Sequence, residues 1–347
     1  MFTLAIVNDT EIAIEALRRV IATVPDYQLA WVARSGSEAV QQCAEQRPDV
    51  VLMDMNMPHL DGVAATRQIM QRSPCAILIV TASVTINTAK VFEAMGYGAL
   101  DVVKTPRLGT GDTEALQTLL GKIRTVTKLI CRTHNAATAQ TSAPTRSTRP
   151  SAPSLPLLVA IGASTGGPNA LKTIFSQLPP DLTAAIVVVQ HINVQFAPGL
   201  VEWLNRFSTL PVALAHPGSA PTPGQILVAG TNDHLILRPN HTLRHTRQPA
   251  TYPHRPSVDV FFRSVAQHWP HPGLGILLTG MGRDGAVGLG QMRAADWSTI
   301  VESAESCVVY GMPRAAVEAN AARRVLPVEK MAKVIASAAL ADSSHSR

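Results

Sequence analysis

The sequence lacks several features that would assign it to particular classes of protein. Its 347 residues contain no run close to the roughly 18 apolar residues of a membrane helix, and acidic residues come too early for a signal peptide. We therefore expect a cytoplasmic protein without a transmembrane segment. The scattered cysteines, Cys43, Cys75, Cys131 and Cys307, include no CxxC pair that would indicate zinc or a redox dithiol. We expect reduced, mostly structural thiols.

Charge gives little support for a nucleic-acid partner. Charged residues make up 16% of the chain and hydrophobic residues 46%, which is enough apolar surface for the cores of two or three domains. The formal net charge of +6 permits binding to acidic partners. Much of the excess lies in a region that has the composition of a linker, at Arg124, Lys128, Arg132, Arg146 and Arg149. We therefore expect no nucleic-acid partner.

The chain alternates strand and helix patterns in two separate stretches. In residues 1–126, five short β-branched runs alternate with five helical patterns, which predicts a flavodoxin-like domain with a doubly wound parallel sheet. Residues 127–156 contain the end of a helix and then a segment rich in Ser, Thr, Ala and Pro, typical of a linker. Residues 157–345 resume the alternation. The predicted fold class is therefore α/β, with two doubly wound parallel-sheet domains.

Polar residues follow several predicted strands of the first domain. Asp9 follows the first strand and Asp54 the third, and parallel strands end at the same edge, so the two carboxylates can converge and hold Mg²⁺. Thr81 ends the fourth strand and Lys104 lies near the end of the fifth. A single Asp at a strand end is more often a helix cap or loop residue. The four residues together favour a site for a phosphoryl group carried by one carboxylate.

The segment that follows the third strand carries a family resemblance. It reads VVLMDMNMPHLDG, and with the polar residues above it closely resembles the receiver domains of two-component response regulators. The resemblance covers nearly all of residues 1–126. It implies that a histidine kinase phosphorylates Asp54, with Mg²⁺ held by Asp9, Asp54 and the main-chain carbonyl of Asn56.

Two positions depart from the receiver pattern. Asn8 stands where receivers usually carry the first of two acids, so we expect weaker metal binding. Lys104 lies one residue before the usual lysine position, and Thr105 directly precedes Pro106. Because a shift of one residue turns a strand side chain to the opposite face, Lys104 reaches a phosphoryl group only if the strand end bulges.

Three polar residues follow strands of the second domain. Ser164 lies in a G-x-S-x-G turn before a predicted helix, and such a turn suits acyl transfer or anion binding. His191 follows the next strand, and Asp284 lies in a glycine-rich segment after a later strand. Taken singly, they could be a helix cap, a histidine bonded to main chain and a turn acid. Together they favour a Ser-His-Asp triad, with His191 as base and Asp284 orienting its ring.

The second domain also carries a family resemblance. Its motifs are GASTGGP, VVVQH, LLTGMGRDGA, PSVDVFFRSVA and VYGMPRAA, and they closely resemble the catalytic domain of the chemotaxis-type protein-glutamate methylesterases, the CheB family. The resemblance implies a triad of Ser164, His191 and Asp284, with Thr165 and the main chain of Met281 near the oxyanion.

The same resemblance implies an activity and its control. We expect hydrolysis of glutamyl methyl esters on methyl-accepting chemoreceptors, with methanol released, and deamidation of selected receptor glutamines. We expect no cofactor for the esterase and a CheA-type histidine kinase as phosphodonor for the receiver. The unphosphorylated receiver would cover the active-site cleft, and phosphorylation would favour an open form. Within the family, IVND, EALRRV and WVARSGSEAV most resemble members from surface-sensing, Wsp-type gene clusters that regulate a diguanylate cyclase.

Other interpretations stay open at this point. A DNA-binding response regulator would need a helix-turn-helix after the linker. A catalytically silent receptor-binding adaptor could keep the fold, although the intact triad argues against it. Nucleotide binding is disfavoured, because the Ser164 turn lacks both G-x-G-x-x-G and the P-loop pattern. The remaining histidines that we considered form no metal motif: His216, His234, His241, His245, His254, His268 and His271.

Overall fold

The computed structural model divides into two compact units, Met1–Thr138 and Ala139–Arg347. The described residues are 1–82, 84–106, 113–130, 155–252 and 254–345. Cys131 and most of the predicted linker lie outside them. Among the described helices, none has the length and apolar character needed to span a membrane.

The first unit is built on a five-stranded sheet in which every pair of strands is parallel. Its strands are β1 (Phe2–Val7), β2 (Tyr27–Ala33), β3 (Val50–Met53), β4 (Ala76–Thr81) and β5 (Asp101–Lys104). Its helices are α1 (Glu11–Ala22), α2 (Gly36–Glu45), α3 (Gly62–Arg72), α4 (Val84–Gly96) and α5 (Thr113–Ile130). The strand order β2-β1-β3-β4-β5 is that of a flavodoxin-like doubly wound sheet, as predicted.

Apolar periodicity explains how the first unit packs. All four side chains of β3 are buried, as expected for a central parallel strand that helices cover on both faces. Helix α1 buries Ile14, Leu17 and Ile21, whose spacing of three and four residues places them on one face. Strands β1 and β3 are neighbours, with Val7 paired to Met53, so Asp9 and Asp54 follow adjacent strand ends.

The second unit contains a seven-stranded parallel sheet and a separate antiparallel hairpin. Its strands are β6 (Leu158–Ala163), β7 (Ala185–Gln190), β8 (Val212–Leu214), β9 (Ile226–Val228), β10 (His234–Leu237), β11 (Leu243–Thr246), β12 (Leu274–Leu277), β13 (Ser298–Glu302) and β14 (Arg324–Leu326). Its α-helices are α6 (Gly167–Phe175), α7 (Ala197–Asn205), α8 (Val258–His268), α9 (Ala286–Ala294), α10 (Met312–Glu318) and α11 (Met331–His345), with a 3₁₀ turn at Val328–Lys330. Strands β10 and β11 form the hairpin.

The topology of the large sheet determines where a site can form. Its order is β14-β13-β12-β6-β7-β9-β8, so the direction of winding reverses between β6 and β12. Open parallel sheets bind their ligands beside such a reversal, at the carboxyl ends of the strands. Ser164 follows β6, His191 follows β7, and Asp284 lies in the segment after β12.

Candidate active site

The turn that carries Ser164 is fixed by main-chain hydrogen bonds and by glycine. The Ser164 N–H donates to the Thr279 carbonyl at 3.0 Å, and the Gly167 N–H donates to the Ser164 carbonyl at 2.8 Å. Gly166 has a left-handed backbone with φ of 80°, and a Cβ on Gly280 would lie only 2.7 Å from the Cβ of Ser164. The serine therefore has a defined place at the start of α6.

His191 and Asp284 form a buried pair. The His191 Nε2 lies 2.7 Å from the Asp284 Oδ2, and their side chains are 11% and 7% exposed. Because Nε2 faces the carboxylate, Nδ1 is the nitrogen left to act as a base. Ala163 and Gln190 are register partners, so Ser164 and His191, the residues after them, leave neighbouring strand ends. Within the described residues, no hydrogen bond joins the Ser164 hydroxyl to His191.

Three further groups donate hydrogen bonds to Asp284 from the N-terminus of α8. The Ser257 hydroxyl and the Val258 N–H each lie 2.7 Å from a carboxylate oxygen, and the Asp259 N–H lies 3.1 Å away. Burial by itself would raise the pKa of Asp284. The hydrogen bond and charge of His191 and the donors on α8 instead hold this pKa well below its usual value. Asp284 is therefore ionised at neutral pH.

The acid pair of the first unit has a different environment. Burial raises the pKa of Asp54 to about 6, and the negative charge of Asp9 adds to the rise. Hydrogen bonds from the main chain of Met55 and Asn56 oppose the rise only in part. The two carboxylates therefore interact, as predicted from their strand ends. Across the described residues, no cluster of three or more His, Cys, Asp or Glu side chains could hold a metal ion.

The supporting residues of this pair lie as follows. Asn8 is buried, and its side-chain oxygen accepts a hydrogen bond from the Thr10 N–H at 2.9 Å. Thr81 is buried and pairs in register with Lys104. Strands β4 and β5 pair without a register shift, so the bulge that would redirect Lys104 does not form. Among the described residues, Lys104 makes no ion pair.

Comparison with known proteins identifies the family of each unit. The model of the CheB methylesterase family matches residues 159–335, and that of the response regulator receiver domain matches residues 4–107. The chain belongs to the CheB methylesterase family. The predicted family and the predicted fold class of two doubly wound domains are confirmed.

Individual CheB relatives match over almost their full length. The chain is 53% identical to protein-glutamate methylesterase/protein-glutamine glutaminase 3 of Burkholderia orbicola, over 97% of this chain and 98% of that protein. It is 51% identical to the protein of the same name in Pseudomonas aeruginosa, over 96% of this chain and 98% of that one. The crystal structure of the Thermotoga maritima CheB methylesterase catalytic domain matches with 33% identity and a TM-score of 0.51, covering 53% of this chain and 99% of that one. The Wsp-type subgroup stays a prediction.

The CheB site contains two histidines for which the sequence suggested no role. The ring of His254 stacks on that of His191, with centroids 4.7 Å apart and an angle of 23° between the planes. Desolvation lowers the pKa of His254, and its electrostatic interaction with His191 lowers it further. His254 therefore covers one face of the His191 ring as a neutral group.

His234 supports the site from the buried interior of the domain. It is fully buried, and its Nδ1 accepts a hydrogen bond from the Ser257 N–H at 3.1 Å, while its Nε2 lies 3.1 Å from the Pro249 carbonyl. These partners require a neutral ring with the proton on Nε2. Burial also lowers the pKa of His234. The ring therefore fixes the main chain of Ser257, which in turn binds Asp284.

The residues expected near the oxyanion lie beside the nucleophile. Thr165 is buried, and its carbonyl accepts a hydrogen bond from the Thr279 hydroxyl at 2.9 Å. The Thr279 N–H in turn donates to the buried carboxylate of Glu302 at 2.8 Å. Met281 is 37% exposed and follows Gly280, which packs against Ser164. The family resemblance had implied positions near the oxyanion for Thr165 and Met281, but no sequence pattern indicated the support from Thr279 and Glu302.

Proposed function

We propose that this CheB-family chain is a protein-glutamate methylesterase that hydrolyses glutamyl methyl esters on methyl-accepting chemoreceptors and thereby serves adaptation in chemosensory signalling. The observation that carries the proposal is the buried His191–Asp284 pair, whose facing atoms lie 2.7 Å apart. His191 follows the strand next to the one that the glycine-lined Ser164 turn follows. The relatives that match almost the whole chain bear the name of this activity. The alternative of a DNA-binding second domain loses its support, because residues 159–335 match a methylesterase domain.

The geometry supports acyl transfer in two stages. In the first, the Ser164 hydroxyl attacks the ester carbonyl and gives its proton to the Nδ1 of His191, while ionised Asp284 stabilises the resulting imidazolium. The intermediate collapses, and the methoxide leaves with that proton as methanol. In the second stage, water attacks the acyl-serine with the same base, which frees the glutamate carboxyl and restores Ser164.

Stabilisation of the oxyanion falls to the start of α6 and the adjacent turn. Main-chain N–H groups at a helix N-terminus direct partial positive charge at a developing oxyanion. We assign this role to the main chain around Thr165, which follows Ser164, and around Met281, which follows the Gly280 that packs against Ser164. The same machinery would accept a primary amide, because His191 can protonate departing ammonia as it protonates methoxide. The matched relatives carry the glutaminase name as well, and we include glutamine deamidation in the proposal.

We propose that the first unit is the regulatory switch of the enzyme. Asp54 would receive a phosphoryl group from a CheA-type histidine kinase, and phosphorylation would shift the population toward an active form. Asp9, Asp54 and the Asn56 carbonyl would hold Mg²⁺, whose charge screens the acceptor and the phosphoryl oxygens. The donor set suits this ion, because Asp9 and Asp54 supply carboxylate oxygens and the negative charge of Asp9 adds to the effect of burial in raising the pKa of Asp54 to about 6. Asn8 adds no negative charge, and its side-chain oxygen is bonded to Thr10, so we expect modest metal affinity.

Methanol release from methylated chemoreceptor membranes tests the proposal. We expect release by the wild type, none above background by Ser164→Ala, and stimulation by Mg²⁺ with a small phosphodonor. Asp54→Ala should keep only the unstimulated rate. Full stimulation of Asp54→Ala would contradict the switch while preserving the enzyme. Absence of release from several receptor types would favour the receptor-binding adaptor, which would have no need of Ser164.

A further inference from the structure

A buried side chain that no reaction step uses joins the two turns of the triad. Gln190, the last residue of β7, is only 2% exposed. Its Nε2 lies 2.8 Å from the Ser164 carbonyl oxygen and 3.2 Å from the His191 carbonyl oxygen. Carbonyl oxygens only accept hydrogen bonds, so the amide nitrogen must face them and donate to both. A single carboxamide thus ties the main chain of the nucleophile to that of the base.

The other end of this amide has no partner. Within the described residues, the Gln190 Oε1 is a buried acceptor without a hydrogen bond. It lies against Gly167, where an added Cβ would be only 2.1 Å away. A buried unpaired acceptor destabilises a fold, and an apolar side chain of the same length would avoid that cost. The glutamine is therefore better explained by its two donated bonds than by packing.

We infer that Gln190 is a positioning residue for the proposed reaction. Its carboxamide fixes the Ser164 turn and the His191 turn relative to each other. The serine oxygen and the His191 Nδ1 can then approach each other as the substrate binds. Displacing reacting groups by about 1 Å can slow an enzyme roughly a hundredfold. The inference rests on the proposed function for the identity of the substrate. The positioning effect itself can be measured with any ester that Ser164 attacks.

Two substitutions at this position separate positioning from packing. Gln190→Met keeps the length and removes both donors and the unpaired oxygen, so we expect kcat to fall about tenfold, the worth of one hydrogen bond. We expect KM to stay unchanged. The melting temperature should change little, because the loss of the unpaired oxygen offsets the loss of the donor to the His191 carbonyl, and the Ser164 carbonyl keeps the Gly167 N–H. Gln190→Glu would face two carbonyl oxygens with a carboxylate and should lose more. The matched control is Gln177→Met, an exposed glutamine whose amide donates to the Thr173 carbonyl at 3.0 Å and which should leave kcat intact.

A second route to the same contact uses Gly167. The methyl group of Gly167→Ala would displace the Gln190 Oε1, so this substitution should also lower kcat. The added Cβ would also lie 2.9 Å from the Cβ of Ala163, so a further loss in the double variant would report that second contact. Wild-type kcat in Gly167→Ala would overturn the positioning role, because the Gln190 amide would then be displaced without effect.

Each variant is measured with two esters, methylated receptors and the activated ester p-nitrophenyl acetate. A parallel loss of kcat on both, at an unchanged melting temperature, supports the positioning role. Wild-type kcat in Gln190→Met overturns it, and so does a loss that merely follows a fall in the folded fraction. Hydrolysis of the activated ester without methanol release would refute the proposed function alone, since the effect of Gln190 would still be measured. A wild type that hydrolyses neither ester would refute both.

Discussion

Asp54 and Asp284 occupy similar places in their domains, but their pKa values shift in opposite directions. Each lies beyond the carboxyl end of a parallel strand, and burial pushes the pKa of each upward. Asp54 has an acidic neighbour, Asp9, and its pKa rises to about 6. Asp284 faces His191 and three donors on α8, and its pKa falls. Burial is the largest influence on both carboxyls, and the partners around each one decide whether its pKa moves upward or downward overall.

The difference matches the two roles that we propose. Asp54 would attack a phosphoryl group. Repulsion from Asp9 makes Asp54 a stronger base and favours the binding of a cation beside the two carboxylates. Asp284 would orient a histidine and stabilise its positive charge, which requires a permanent negative charge. Each prediction below removes one contributor to this contrast.

The largest effect is expected from Asp284→Asn. The amide would present N–H groups to donors on Ser257, Val258 and Asp259, and it could not stabilise an imidazolium at His191. We expect kcat for methanol release to fall by about 10³ to 10⁴, the size seen when a triad carboxylate is neutralised. Turnover close to that of the wild type would contradict the triad.

The same substitution has a stability signature with a definite sign. A carboxyl whose pKa is lowered on folding stabilises the folded state above its unfolded pKa, and this contribution is lost as the pH falls through the lowered value. The wild type should therefore exceed Asp284→Asn in unfolding free energy from neutral pH down to about pH 4, the ordinary pKa of aspartate. The excess should vanish only in stronger acid. Urea unfolding at a series of pH values would measure it.

A smaller effect is expected from Ser257→Ala. The Ser257 hydroxyl donates to Asp284 and accepts from the Val260 N–H, so its loss removes both a contact of the triad and the N-cap of α8. We expect kcat to fall about tenfold and stability by about 1 kcal/mol. Kinetics and urea unfolding would measure the two.

Ser35→Ala is the matched control for this change. Ser35 caps α2 by accepting from the Glu38 N–H at 3.2 Å, in the other unit. Its loss should cost a similar stability and leave unstimulated turnover unchanged. Equal kinetic effects of the two substitutions would show that Ser257 acts only as a cap.

The proposed triad could be predicted because each of its residues follows a strand of one sheet. Alternation of strands and helices predicts a parallel sheet, and a parallel sheet brings Ser164, His191 and Asp284 to one edge. The supports of the site could not be found in this way. Ser257 and His234 act through contacts that depend on where α8 begins and where the β10–β11 hairpin lies, which no local pattern encodes.

The receiver departures show a related limit. From its position in the sequence, the Lys104 side chain is predicted to reach the phosphoryl site only if the end of β5 bulges. Strands β4 and β5 pair in unbroken register up to Lys104, so they contain no such bulge. The role of Asn8 was harder to anticipate, because its bond to the Thr10 N–H competes with any contact to a metal. Composition and spacing predicted the acid pair but not the bonds of its neighbours.

The smallest effect is expected from Asp9→Asn on the titration of Asp54. Removing a negative neighbour lowers a carboxyl pKa, so the Asp54 midpoint should move below about 6 yet stay above the ordinary value, because burial remains the larger cause. Asp9 is exposed, so salt screens its charge and the shift should shrink as ionic strength rises. Carboxyl ¹³C titration of the Mg²⁺-free full chain would measure it, with exposed Asp26→Asn as the control. An unmoved midpoint would mean that burial alone raises the pKa of Asp54, and the contrast between the two acids would then rest entirely on the donors of α8 and His191.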